Sequence, residues 1–266
     1  MDTNSAQHPV TIGVLLVGHG SRDEPGVAEF LATVRRVERA APQWAVEPCF
    51  LEFASPSIDE GFSRLAARRV ERVVVAPVIL LSAGHVRRDI PREVAQAAAR
   101  FPHIAVVQAD HLGCHASLVE LSQRRYDEAI ANRSPDVAPQ ETVLVMAGRG
   151  SREAAAIEEM RRFVRLREDA TPAREVRTAF LSMAEPSLAD ALDQLARDAP
   201  RRVVVQPHLL FSGRLLDRTE QTVHRVAENN PRTDWAVAAQ LGESDLLVAA
   251  LLDRAAAACG DTAARH

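Results

Sequence analysis

The sequence TIGVLLVGHGSR at positions 11–22 joins an apolar run to a glycine-containing turn. Residues 11–17 are short, apolar and rich in β-branched side chains, which is typical of a buried strand in a parallel sheet. Glycine then permits a sharp turn into the next element. That element is predicted to be a helix, because five apolar residues fall on one helical face: Val27, Phe30, Leu31, Val34 and Val37.

The same alternation of strand and helix continues through the first half of the chain. The runs that we predict as strands are 11–17, 46–53, 71–80 and 104–110, with helices between them. This order predicts βαβ units and a parallel sheet that is covered on both faces. Ligands bind such sheets at the carboxyl ends of the strands.

The whole pattern returns 130 residues later. VGHGSR at 17–22 corresponds to AGRGSR at 147–152, FLEFASPS at 50–57 to FLSMAEPS at 180–187, and RVVVAPVILLS at 72–82 to RVVVQPHLLFS at 202–212. A period of this length indicates a duplicated domain, since solenoid repeats are about 20–50 residues long. We therefore predict an α/β protein with two tandem domains, each a parallel sheet of about four strands flanked by helices. Their bounds are 10–131 for the N-terminal domain, 132–142 for a linker and 143–258 for a degenerate C-terminal repeat.

Composition excludes several classes of protein. The net charge of −4 at pH 7 argues against a general nucleic-acid binder, which is normally basic. No apolar run approaches the roughly 20 residues of a membrane helix, and the polar residues 1–10 lack the apolar core of a signal peptide. Cys49, Cys114 and Cys259 are isolated, so neither a zinc site nor a disulfide framework is indicated. We expect a reduced, cytoplasmic protein that binds neither nucleic acid nor membrane.

Three residues that can carry chemistry stand at the ends of the first three predicted strands: His19 after the first, Glu52 at the end of the second and His85 shortly after the third. Imidazole and carboxylate are suitable ligands for divalent first-row metals, and both accept protons. Each residue alone also has an ordinary interpretation, as a loop histidine bonded to backbone, a solvent-facing glutamate or a residue at a helix start. Their shared position at strand ends predicts that they lie together.

The second copy decides between these interpretations. At the fixed offset the three residues become Arg149, Ser182 and Leu215, while the surrounding frame persists at Gly18, Gly20, Ser21, Arg22, Pro56, Ser57, Pro77 and Ser82. Joint loss of the three within a retained frame indicates one cooperative site, present in the first domain. The second domain would then serve as scaffold and as a wall of the substrate pocket.

The turn GHGSR also invites a phosphate-binding interpretation, since it precedes a predicted helix. It lacks the pattern GxGxxG and the lysine of a Walker motif. The glycines are better explained by the geometry of a tight turn.

LLVGHGSR, FLEFASPS and LLSAGHVRRDIP, in this order and spacing, resemble the class II tetrapyrrole chelatases of the CbiX/SirB type, in their long, tandem-duplicated form. The resemblance covers nearly the whole chain, and it departs mildly at Ala83-Gly84, where many members have a bulkier residue. It implies that His19, Glu52 and His85 are both metal-binding and catalytic. The implied reaction inserts Fe²⁺ (sirohaem synthesis) or Co²⁺ (cobalamin synthesis) into sirohydrochlorin and releases two protons, without ATP or a cofactor beyond the substrate metal.

The implied macrocycle carries many carboxylates, which arginine can pair bidentately. We therefore predict substrate contacts at Ser21, Arg22, Arg87 and Arg88. His111 and His115 are further candidates, for assistance in metal delivery.

A non-catalytic carrier of tetrapyrrole or metal is the main alternative function. The choice among iron, cobalt and nickel stays open. We expect a monomer, because duplication already places two lobes in one chain.

Overall fold

The computed structural model describes residues 11–82, 84–131 and 133–260, with only the backbone of His85. The first repeat alternates strands and helices in the order β1 Ile12–Gly18, α1 Glu24–Ala40, β2 Ala45–Phe50, α2 Ile58–Ala67, β3 Arg72–Pro77, a π-helical turn His85–Asp89, α3 Ile90–Ala98, β4 Ala105–Gln108 and α4 Ala116–Ala131.

The second repeat follows the same order after a short 3₁₀ turn at Pro139–Glu141. Its elements are β5 Thr142–Gly148, α5 Ala154–Ala170, β6 Glu175–Phe180, α6 Leu188–Asp198, β7 Arg202–His208, α7 Arg214–Asn229, β8 Asp234–Val237 and α8 Asp245–Cys259. None of the helices within the described ranges is long and apolar enough to span a membrane.

Each repeat forms its own sheet of four parallel strands. The strand order is β2-β1-β3-β4 in the first sheet and β6-β5-β7-β8 in the second. The first strand of each repeat lies in the middle, where Val14 pairs with Val46 on one side and Val74 on the other. This arrangement confirms the predicted tandem parallel α/β fold.

Three strands are shorter than predicted, and one of them is β4, Ala105–Gln108 against the predicted 104–110. β2 ends at Phe50 rather than at residue 53, and β3 ends at Pro77 rather than at residue 80. Beyond β2 the chain turns out of the sheet, because Phe53 adopts a left-handed conformation with φ 64°. Glu52 therefore lies in the turn after the strand.

The last helix of each repeat packs on the sheet of the other repeat. Helix α4 contacts β7 and β8, and α8 contacts β3 and β4. Gln206 of β7 donates a hydrogen bond to the Ser122 carbonyl of α4 at 2.7 Å. Arg72 of β3 donates to the Cys259 carbonyl at the end of α8 at 3.2 Å. One continuous hydrophobic core consequently contains side chains from both sheets.

Two glutamates at equivalent positions connect the two repeats. Glu29 of α1 accepts a hydrogen bond from the Ser212 amide, at 2.8 Å, in the loop after β7. Glu159 of α5 accepts one from the Ser82 amide, at 2.7 Å, in the loop after β3. Burial opposes ionisation of Glu159, but hydrogen bonds from His111 and Ser82 outweigh it and hold its pKa below the usual range. Each repeat thus fixes a loop of the other.

His208, at the end of β7, is a buried histidine at the position that Val78 occupies in the first repeat. Its ring lies 4.2 Å from that of Phe163, between centroids. Neither ring nitrogen has a hydrogen-bond partner among the described residues. Burial lowers the pKa of His208 to about 4, although Glu159 opposes the shift. The imidazole is therefore neutral at pH 7.

His208→Val should make the protein less sensitive to acid. An unfolded histidine binds a proton near pH 6.5, whereas folded His208 does so near pH 4, so the unfolded state holds more protons between these values. Stability should fall as the pH drops through this window, by on the order of 3 kcal/mol in the wild type. Urea unfolding measured from pH 7.5 to 4.5 should show that the free energy of unfolding falls less in His208→Val than in the wild type. His224→Ala is the control, because that side chain is 77% exposed; an equal change of slope in both variants would contradict the assignment.

Candidate functional site

A cavity of about 630 Å³ lies between the two repeats, at the carboxyl ends of their strands. The first repeat contributes His19 and Ser21 to its wall, and the second contributes Arg149 and Arg214. Much of the remaining lining is apolar and comes from both repeats: Val27, Phe30, Phe50, Leu80, Leu209, Leu210, Phe211, Leu215 and Leu216. The cavity therefore suits a ligand with an apolar body and polar edges.

His19 and Glu52 are held together by a crossing of two loops. The Glu52 amide donates to the His19 carbonyl at 3.1 Å, and the Leu51 amide donates to the Gly18 carbonyl at 3.0 Å. Gly20, between them, has φ +91°, and a Cβ there would lie 1.7 Å from the Glu52 carbonyl oxygen. Only glycine fits this conformation and this approach.

The imidazole and carboxylate of this pair face each other. His19 Nε2 lies 3.3 Å from Glu52 Oε1, and the two side chains are 31% and 38% exposed. His19 Nδ1 is 3.2 Å from the Gly20 carbonyl. When Nδ1 carries the proton it donates to this carbonyl, and Nε2 then presents its lone pair beside the carboxylate. Ligands about 2.1 Å from one metal, at angles of 90–109°, lie about 3.0–3.4 Å apart, so the pair is spaced to share a divalent ion.

His85 belongs to the loop that reaches the cavity after β3. Its side chain lies outside what the structure describes, but Gly84 and Val86 on either side of it line the cavity. The Ser82 amide is bound by Glu159, and the Ser82 hydroxyl accepts a hydrogen bond from Arg87 Nε at 2.9 Å. The backbone that carries His85 is therefore located at the same cavity as His19.

The second repeat keeps the loop crossing without its chemical groups. Gly150 has φ +86°, and a Cβ there would again lie 1.7 Å from a carbonyl oxygen, that of Ser182. The Ser182 amide donates to the Arg149 carbonyl at 3.0 Å. Arg149 and Ser182 thus stand in the frame of His19 and Glu52 and cannot form an imidazole–carboxylate pair.

The predicted substrate contacts are distributed unevenly. Ser21 and Arg88 line the cavity, whereas Arg22 and Arg87 lie outside its lining. Ser21 Oγ accepts a hydrogen bond from the Asp23 amide at 2.9 Å. Arg88 is paired with Glu153 at 3.0 Å, so its guanidinium is already partly neutralised. Arg22 is exposed, with its Cζ 5.0 Å from the centroid of the Phe53 ring.

The two histidines considered for metal delivery are bound to carboxylates of the second repeat. His111 Nε2 lies 2.7 Å from Glu159 Oε1, and His115 Nε2 lies 3.4 Å from Asp253 Oδ2. Burial lowers the pKa of His115, and Arg254 contributes to the shift. These contacts connect β4 and the following loop to α5 and α8, which is a structural role.

Phe53 and Met183 were not among the residues that the sequence singled out. They are equivalent in the two repeats, have φ of 64° and 58°, and are 54% and 51% exposed. Met183 lines the cavity, and the Phe53 ring lies 6.4 Å from the His19 imidazole, between centroids, in a stacked orientation. The signal available in the sequence was a large apolar side chain at the same position of both repeats.

These features define a duplicated parallel α/β protein in which His19, paired with Glu52, lines a cleft between the repeats. The CbiX family matches residues 13–129 and again 143–258. The chain belongs to this family.

Two relatives and one solved structure match most of the chain. The chain is 30% identical over 243 residues to a sirohydrochlorin cobaltochelatase of Priestia megaterium, covering 91% of this chain and 78% of that protein. It is 29% identical over 214 residues to a sirohydrochlorin ferrochelatase of the same organism, covering 80% and 79%. The solved structure of SirB from Bacillus subtilis with Fe³⁺ matches with a TM-score of 0.84 and 25% identity, covering 94% of this chain and 98% of that one.

Gly20→Ala and Gly150→Ala should destabilise the protein alike but differ in metal binding. Each adds a Cβ that clashes with a carbonyl and each strains a left-handed residue, at a cost of roughly 2 kcal/mol or more. Only Gly20→Ala displaces Glu52, so only this variant should lose Co²⁺ affinity, by about tenfold. Urea unfolding and Co²⁺ titration test the pair. Equal Co²⁺ affinity in both variants would show that the loop crossing at Gly20 does not position the metal-binding residues.

Proposed function

We propose that the protein is a sirohydrochlorin chelatase that inserts Fe²⁺ or Co²⁺ into the macrocycle without nucleotide. The observation that carries this proposal is the 3.3 Å approach of Glu52 Oε1 to Nε2 of His19, a residue that lines the 630 Å³ cleft. Relatives in the family are named for insertion of both metals, a cobaltochelatase and a ferrochelatase. Imidazole nitrogen and carboxylate oxygen accept either ion.

His85 completes the metal-binding set in this proposal. Its loop reaches the cavity through Gly84 and Val86, and this loop follows β3, the neighbour of β1, whose own following loop carries His19. Two neutral imidazoles and one carboxylate give a complex of M²⁺ with net charge +1. For insertion to occur, this complex must release its metal to the four ring nitrogens.

The residues also balance the protons of the reaction. Two pyrrole N–H protons must leave the macrocycle as M²⁺ enters it. When the metal passes from Nε2 of His19 and the carboxylate of Glu52 to the ring nitrogens, these two groups regain free lone pairs and accept the two protons. The products are the metallated macrocycle, an imidazolium and a carboxylic acid, which return their protons to solvent. No group beyond the substrate metal is needed.

The other parts of the proposal follow from the shape and charge of the chain. Both walls of the cleft come from one chain, which supports a monomer. A net charge of −4 gives no electrostatic attraction for nucleic acid. Ser21, Arg22, Arg87 and Arg88 remain the substrate contacts proposed for the first repeat.

The alternative function is a non-catalytic carrier, and one experiment distinguishes it from a chelatase. The protein is mixed with sirohydrochlorin and either Co²⁺ or Fe²⁺, without nucleotide, and the absorption spectrum is followed. A chelatase accelerates the spectral change over the spontaneous rate at substoichiometric protein. A carrier binds the macrocycle or the metal and leaves that rate unchanged. The two metals assayed side by side give the metal preference.

Metal insertion should depend on the proposed ligands of the first repeat and not on the equivalent residues of the second repeat. His19→Ala, Glu52→Ala and His85→Ala should each lower the rate at least about 100-fold, since each removes a ligand or a base. Ser182→Ala and Leu215→Ala are the matched controls at the equivalent positions and should keep the Co²⁺ affinity of the wild type. Co²⁺ titration, insertion rates and circular dichroism on the five variants test this. If Ser182→Ala lost metal binding and Glu52→Ala kept it, the metal site would lie in the second repeat and the proposal would be wrong.

The loop glutamates offer a second matched pair. Glu159→Ala releases the Ser82 amide of the loop that carries His85, whereas Glu29→Ala releases the equivalent loop, which carries Leu215. A displacement of about 1 Å can cost 100-fold in rate, so Glu159→Ala should lower kcat at least about tenfold. Glu29→Ala should keep kcat within about threefold. Comparable losses of kcat, after correction for unfolded protein, would show that both glutamates serve stability alone.

A further inference from the structure

Two loops of the second repeat that line the cleft each carry an arginine. One stands at the position of a proposed metal ligand of the first repeat, and the other immediately precedes such a position. Arg149 replaces His19, and Arg214 replaces Gly84, immediately before Leu215 in the place of His85. Both arginines line the cavity. The second repeat has therefore exchanged its metal-binding groups for two permanent positive charges at the same loops.

The loop frame presents Arg149 to the cleft as it presents His19. The carbonyl of Arg149 accepts from the Ser182 amide at 3.0 Å, and that of His19 accepts from the Glu52 amide at 3.1 Å. Arg214 begins helix α7, and its backbone amide donates to Asp23 Oδ2 of the first repeat at 3.3 Å. Both arginines are thus anchored through backbone bonds, which leaves their side chains available.

The guanidinium groups of both arginines are available to bind a ligand. Within the described part of the chain, neither makes an ion pair or side-chain hydrogen bond, and both are exposed. Arg88, the third arginine of the lining, is paired with Glu153 at 3.0 Å. An arginine fork binds a carboxylate through two parallel hydrogen bonds, which no other side chain matches.

We infer that Arg149 and Arg214 form a carboxylate-binding site, which anchors acidic side chains of the macrocycle on the second-repeat wall of the cleft. This inference rests on the proposed function, since that function supplies the polycarboxylate. The apolar lining at Leu209, Phe211 and Leu216 covers the ring, and the two guanidiniums hold its charged periphery. Their charge also disfavours a second divalent ion at this wall, so the metal approaches from the His19 side.

The test compares Arg149→Gln and Arg214→Gln with Arg152→Gln. Arg152 lies on the same loop as Arg149 and is exposed, but it does not line the cavity. Binding of metal-free sirohydrochlorin, measured by fluorescence, should weaken about tenfold in each of the first two variants, as expected for loss of a charge-assisted contact. It should be unchanged in Arg152→Gln. Co²⁺ affinity should match the wild type in all three.

The methyl ester of the macrocycle provides the second probe, because it has no carboxylates. It should bind the wild type, Arg149→Gln and Arg214→Gln with equal affinity. Full affinity for the free acid in both variants would overturn the inference, and so would an equal loss in Arg152→Gln. Insertion is measured separately on the wild type. A wild type that binds the acid through these arginines without accelerating insertion would refute the chelatase and leave the anchor standing.

Discussion

The hydrogen bond from the Glu52 amide to the His19 carbonyl, 3.1 Å long, is the contact on which the site depends. It draws the turn after β2 across the turn after β1, and Gly20 makes the approach possible because any Cβ would meet the Glu52 carbonyl. A strand end gives a residue its general position, but this crossing gives the imidazole and carboxylate their 3.3 Å separation. The same crossing survives around Arg149, which shows that the frame is separable from the chemistry.

The second constraint is the exchange of helices between repeats. Because α4 covers the second sheet and α8 the first, neither sheet is complete without the other repeat. Glu29 and Glu159 then bind the amides of Ser212 and Ser82 across the cleft. The second repeat therefore influences the first-repeat side of the cleft directly, through the loop that carries His85, even though it lacks the proposed metal-binding residues itself.

The apolar runs of the sequence predicted the strands, the repeat offset predicted the duplication, and the position of His19 and Glu52 at strand ends predicted that they lie close together. The sequence could not predict which sheet α4 and α8 cover, since the apolar face of a helix does not identify its partner. Arg88 looked available for a substrate, but its pairing with Glu153 depends on a contact 65 residues away in the chain. The burial of His208 and the role of Glu159 arise from the same long-range packing.

The exchanged helices also bear on how such a chain arises. A half-length protein ending at Ala131 would retain α4 but would have nothing on the face of its sheet that α8 now covers. In a dimer of two such copies, α4 of each copy could cover the sheet of the other. The dimer would be symmetric, and each copy would carry an identical set of site residues. Fusion of the genes turns that bimolecular association into an intramolecular one, at high effective concentration. Symmetry is then no longer enforced, and one copy can become specialised while the other keeps the ancestral chemistry.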